Sequence, residues 1–168
     1  MIPLKINGKN LIEIFDPEYS VTGKTDTQIQ QDSIRMKMFP TEVKNTSETY
    51  SRDAERTANY ELEDLVLVNR KAKPEFTWSL LKAEYVANLL SFLEYNYNFK
   101  NAAGVVTPKN ADIINVTYMD FTGMRTIEAY LGQTIEGTLV EYEEYDEENE
   151  TTVKTQYWEN FRIAFPER

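Results

Sequence analysis

Seven carboxylates crowd into residues 141–150, at Glu141, Glu143, Glu144, Asp146, Glu147, Glu148 and Glu150, and no cation interrupts them. Grouped carboxylates can serve as general acid and base, as oxygen ligands for a divalent cation, or as a wall that repels polyanions. A calcium loop needs oxygen ligands at alternating positions and a glycine at its sharp turn, and Asp146-Glu147-Glu148-Asn149-Glu150 contains no glycine. A glycosidase pair is not identified either, since no aromatic pocket signature or histidine accompanies the run. The chain has no histidine and no cysteine at all, which removes the usual general base, the commonest metal ligand, thiolate chemistry and disulfides together. The composition therefore points to a non-enzyme with no catalytic residues, no bound metal and no cofactor. The acidic run reads first as a solvated hairpin tip.

Other residues invite chemistry less strongly. Arg70, Lys71 and Lys73 form a basic break that reads as a solvated turn, or as an interface that meets a neighbour's acidic tip. Trp78 and Trp158 could stack on sugars or bases; Trp78, between an alternating strand and a helix start, reads as a core anchor, whereas Trp158 beside Tyr157 is open to both readings. The net charge of −10 is largely local, because residues 141–150 supply −7 of it. No basic stripe remains to displace counterions from nucleic acid.

The elements that must position these residues centre on Phe76 to Tyr97. Phe76-Thr77-Trp78 alternates as a half-buried strand does, and from about Leu81 the apolar spacing becomes Leu81, Tyr85, Leu89, Leu93, Tyr97 with Val86 and Leu90 alongside. That spacing predicts an amphipathic helix of about four turns whose stripe needs a sheet to cover. Upstream, Leu4-Lys5-Ile6 ends in an Asn7-Gly8 turn, and residues 11–15 (LIEIF) read as the hairpin partner or its continuation. Residues 18–59 are polar with sparse apolar positions, among them Phe39, Val43 and Tyr50, and read as a long loop or assembly arm. A strand is expected across Tyr60 to Val68, and further strands at Ile113 to Met119, Arg125 to Leu131, Thr138 to Tyr145 and Val153 to Phe165, with a corner at Gly132-Gln133.

Together these make one domain over residues 1–168. Its class is mainly β (α+β): an antiparallel β-sandwich or partly closed barrel of about eight strands, with one flanking helix and a long extended arm. No stretch is long and apolar enough to span a bilayer, and the N-terminus has no basic segment followed by an apolar core, so a soluble protein made in the cytoplasm is expected.

The order of elements carries a resemblance. The N-terminal LKING strand, the run ERTANYELEDLVLVNRKAKPEFTWSLLKAEYVANLL, the segment VTYMDFTGMRTIEAYLGQ and the C-terminal FRIAFPER resemble small tail proteins of long-tailed bacteriophages. The likeness covers Leu4 to Gly8 and roughly Asp53 to Arg168, and the excursion from residue 18 to 52 is longer than the family pattern. It implies a virion structural protein of tail-tube or tail-tip type, a β-sandwich that assembles with itself into rings, a hexamer among the ring sizes it admits. Its implied partners are other tail proteins, with DNA only as passing cargo and no membrane. An arm in such proteins reaches the neighbouring subunit. The other reading left open by the residues is a carbohydrate- or protein-binding sandwich that uses surface tyrosines and tryptophans. Within the ring reading, the acidic tip either lines the channel or faces outward and keeps the assembly soluble.

Overall fold

The computed structural model describes residues 1–51, 67–100, 106–108, 113–131 and 134–168. The chain opens with β1 (Leu4–Ile6) and β2 (Lys9–Asn10), joined by Asn7 and Gly8, both at positive φ, as a tight two-residue hairpin requires. The next segment, α1 (Leu11–Phe15), is a short helix and not the strand its alternation suggested. Two local features account for this. The Glu13 carboxylate accepts from the Asn10 backbone N–H at 2.9 Å, and four of the five residues are buried against the domain.

Residues 18–47 depart furthest from the expectation of an extended arm. They hold a second helix, α2 (Asp26–Arg35), and an edge strand, β3 (Glu42–Lys44). Thr25 caps α2: its hydroxyl accepts from Gln28 N while the Gln28 side chain accepts from Thr25 N. Ile29 and Ser33, one turn apart, face inward, and Met38 is fully buried just beyond the helix. Trp78 fixes that crossing, its indole Nε1 donating to Met38 O at 2.8 Å. Few apolar residues suffice here because Ile29, Met38, Phe39 and Val43 dock on a core that the rest of the chain supplies, while Ile34 stays exposed.

The body then continues through β4 (Ser47–Ser51), β5 (Leu67–Ala72), β6 (Glu75–Lys82), α3 (Ala83–Tyr97), β7 (Asn98–Lys100), β8 (Val106–Pro108), β9 (Ile114–Asp120), β10 (Gly123–Ala129), β11 (Ile135–Asp146) and β12 (Thr151–Ala164). The strand expected across Tyr60 to Val68 lies outside the described residues up to residue 66, as does the corner at Gly132-Gln133; residues 52–59 of the expected arm also lie outside them.

Two antiparallel four-stranded sheets carry the fold, in the orders β10-β9-β1-β2 and β11-β12-β6-β3, with the small pairs β4-β5 and β7-β8 beside them. The fold is mainly β and sandwich-like, with no closed barrel among the described strands. Phe76 of one sheet meets Tyr118 of the other edge to face, their ring centroids 6.1 Å apart. The stripe of α3 lies where its periodicity placed it: Tyr85, Val86, Leu89 and Leu93 are buried and Glu84 is exposed. Phe15 of α1 stacks on Tyr85 of α3, which ties the short helix to the long one.

Candidate functional site: a projecting ribbon

The seven carboxylates all sit on one element. Strand β6 pairs with β12 only as far as Lys82, which lies opposite Tyr157, because the chain there turns into α3. Beyond that point β11 and β12 have no further strand to lie against among the described residues, and residues 141–156 run on as a two-stranded ribbon. At roughly 3.3 Å per residue the ribbon reaches about 20 Å past the end of β6, its first half flanking the end of α2. Its register is unbroken from Thr138↔Glu159 to Asp146↔Thr151. Glu141, Glu143, Glu144 and Asp146 lie in β11, and Glu147, Glu148 and Glu150 form the turn.

At the root the ribbon is seated by a bulge. The β11-β12 register shifts by one residue between Glu136 and Thr138, opposite Asn160, which has a φ of 50°. Gly137 occupies this bend, and a Cβ there would stand 3.1 Å from the Trp158 ring. The half-buried indole therefore packs directly over the glycine, while Trp158 also contacts the core. Trp78, by contrast, is 1% exposed and belongs to the core entirely.

Cross-strand contacts brace the ribbon. Because side chains alternate, Val140, Tyr142, Glu144, Val153, Tyr157 and Glu159 share one face. On it the Tyr142 and Tyr157 rings meet at 5.7 Å, Tyr142 Oη donates to Glu159 at 2.8 Å, and Tyr157 Oη donates to Glu144. Burial, then its bond to Glu144, pushes the Tyr157 phenol up to about 12; the Glu159 bond raises that of Tyr142. Across the other face Lys154 pairs loosely with Glu141 at 3.8 Å. At the turn, Asp146 accepts from Asn149 Nδ2 and from the backbone N–H of Glu148, and the Asn149 bond leads in holding its carboxyl below the ordinary value.

These contacts do not give the ribbon a core. Tyr145 is 64% exposed, and Leu139, Val153 and Tyr142 are exposed as well. The outer edge of β11 has no strand beside it among the described residues. Between the root of the ribbon and the end of α2 runs a groove of about 620 Å³, with Leu80, Met36 and Tyr85 as apolar lining and Arg35, Lys37 and Lys82 as cations.

The other residues singled out by the sequence lie elsewhere. Phe39 and Val43 pack on the core, and Val43 pairs with Phe76, so they are part of the body. Tyr50 is in β4, opposite Asn69. Arg70 and Lys71 fall in β5 and Lys73 just after it, with Lys73 exposed and Lys71 half-buried, well separated in sequence and sheet from the ribbon. The structure thus gathers the acidic residues into one feature but does not join them to the basic cluster or to Phe39 and Val43. No three Asp or Glu side chains converge as a metal cage among the described residues. Tyr142 and Tyr145, and the cations Arg35, Lys37 and Lys82, were not picked out from the sequence, and Tyr157 was named only as the neighbour of Trp158. The first two tyrosines stand three apart in EYEEY, a spacing that puts them on opposite faces of a strand, and this was the available signal.

No protein-family model, curated protein or solved structure matches the chain.

Proposed function

We propose that this chain is a non-enzymatic virion structural protein that assembles with itself into rings of a long-tailed phage tail, as a tail-tube or tail-tip component around the DNA channel. The observation that carries the assembly half of this reading is the ribbon. A two-stranded hairpin is at best marginally stable alone in water, and this one exposes Tyr145 and Leu139 on one face and Val153 on the other, with no strand beside β11 on its outer edge among the described residues. Such a surface is stabilised by a partner that covers it. The tail half rests on the resemblance of the LKING, ERTANYELEDLVLVNRKAKPEFTWSLLKAEYVANLL, VTYMDFTGMRTIEAYLGQ and FRIAFPER segments. The glycan-binding alternative is weakened by the tryptophans, since Trp78 is buried and Trp158 covers Gly137 at the root of the ribbon.

Light scattering on the purified chain across a concentration series, followed by electron microscopy of the largest species, tests the reading. Rings or stacked tubes with a central opening are expected. A monomer at every concentration, with affinity for glycans instead, overturns it.

A further inference from the structure

We infer that the groove between α2 and the root of the ribbon receives the acidic tip of a second copy of the chain. This rests on the assembly reading above and deepens it by naming the two surfaces that meet.

The tip has no cation partner of its own among the described residues. Glu147, Glu148 and Glu150 are exposed, and none has a cation within ion-pair distance among the described residues; the ribbon's single lysine, Lys154, reaches Glu141 instead. Nor can the tip turn back. The continuous register from Val140↔Tyr157 to Asp146↔Thr151 carries it onward from the groove, about 10 Å past the Glu144 rim.

The groove has complementary features. Lys37 lies exposed just past α2, held at a φ of 53°, and Lys82 projects over the Tyr85 ring at 5.6 Å. Neither has a carboxylate within ion-pair distance among the described residues, and Arg35 adds a third cation that shares Asp32 with Lys24. The apolar lining lowers the local dielectric, which strengthens attraction for a carboxylate that enters. Glu143 and Glu144 on the rim offset part of this charge, and Glu144 is already engaged by Tyr157. The contact is therefore charge-driven and salt-sensitive. Concavity and apolar lining distinguish this surface from Lys71 and Lys73, which follow the line of a strand.

The test uses the full chain with charges reversed on each side. Lys37→Glu, alone and with Lys82→Glu, reverses the groove; Glu147→Lys with Glu148→Lys and Glu150→Lys reverses the tip. Lys71→Glu with Lys73→Glu serves as the control surface, and melting curves confirm that each variant folds. Either reversal alone should weaken self-association at least about tenfold, and mixing the groove-reversed with the tip-reversed chain should restore it. Carbodiimide crosslinking of mixed heavy- and light-isotope copies should join Lys37 or Lys82 of one copy to Glu147, Glu148 or Glu150 of another.

Normal assembly of the groove variants, with loss only in the Lys71/Lys73 variant, overturns this contact and leaves the assembly reading standing. A wild-type chain that stays monomeric and gives no crosslink between copies overturns both. Equal protection of Lys37 and Lys82 by polyglutamate or DNA, without rescue in the mixture, assigns the groove to a polyanion and overturns the second copy as its occupant.

Discussion

Strand β12 belongs to two different regions of the molecule, and its halves obey the same geometry with opposite results. In the inner half Phe161 and Ile163 point inward, followed just past the strand by Phe165, and all three are buried. In the outer half Thr151, Val153, Thr155 and Tyr157 alternate just as regularly with Thr152, Lys154 and Gln156, yet the strand remains mostly exposed there. What differs is the layer available to each half. The inner half lies over α3 and the opposing sheet, whereas the outer half outruns both. Alternation thus decides which side chains share a face, and tertiary context decides whether that face is covered.

The two halves also join at a place where alternation breaks. In β6 Trp78 and Leu81 are buried while Ser79 and Leu80 both stay exposed, and their partners in β12 shift in step, so that Phe161 pairs with Trp78 and Trp158 with Leu81. Two neighbouring strands slip together and preserve their pairing. Against the third strand, β11, the extra residue shows as a bulge, with Asn160 and Phe161 of β12 opposite the single Gly137.

Variants on the two sides of this boundary should separate cleanly, and the largest effect is expected in the body. Trp78→Ala removes a fully buried ring and leaves Met38 O without its donor, so a loss of about 3–5 kcal/mol is expected. Leu89→Ala should cost about 2–5 kcal/mol in denaturant unfolding, while Glu84→Ala on the exposed face stays near neutral. Met38→Ala tests the segment read from sequence as an arm. If that segment is part of the body, its cost should resemble that of Leu89→Ala; a shift under about 0.5 kcal/mol would return it to the status of a loop.

At the boundary itself, Gly137→Ala places a methyl group 3.1 Å from the Trp158 ring. Overpacking of this kind costs about 1–3 kcal/mol, and it should also change the fluorescence of Trp158 more than that of Trp78. Out on the ribbon, Tyr145→Ser should alter unfolding by no more than about 0.5 kcal/mol in the isolated subunit. Its effect should show in self-association instead. A large loss of stability in dilute monomer would mean that the ribbon is packed after all.

How far the sequence could be read follows the same division. The stripe of α3, the Asn7-Gly8 hairpin and the strand pairs around Asp120 and the acidic turn were legible, because periodicity and turn chemistry are local properties. Residues 11–15 were misread because LIEIF alternates like a strand, and only the Asn10-Glu13 cap, a weaker signal, marks the helix. Residues 18–47 were misread for the opposite reason. Their Thr25-x-x-Gln28 capping box was present, but sparse apolar residues suggested nothing to bury, and the docking of Ile29 and Met38 depends on a core assembled from distant strands. The acidic run was legible as a hairpin tip. That it would reach about 20 Å past the end of β6 was not, since this depends on where β6 ends relative to β12.

The smallest expected effect concerns acid, and it compares two carboxylates held below the ordinary value of 3.8, one in each region. Asp32 accepts from Tyr19 Oη at 2.6 Å, the leading cause of its shift, and then from Lys24 at 3.3 Å, so it ties the start of the segment to α2. Asp146 is held chiefly by Asn149 and binds only its own turn. In both cases the folded state favours the charged form, so each contributes stability above 3.8 that is lost as pH falls below 3.8 through the folded value. The consequence differs because the structures that depend on them differ. Replacing Asp32 with Asn should flatten the acid limb of the melting curve and speed amide exchange across residues 19–35. Replacing Asp146 with Asn should quicken exchange only within residues 146–150 and leave the acid limb unchanged. Equal effects of the two on acid melting would show that the ribbon unfolds with the body as one unit, and the division between them would fall.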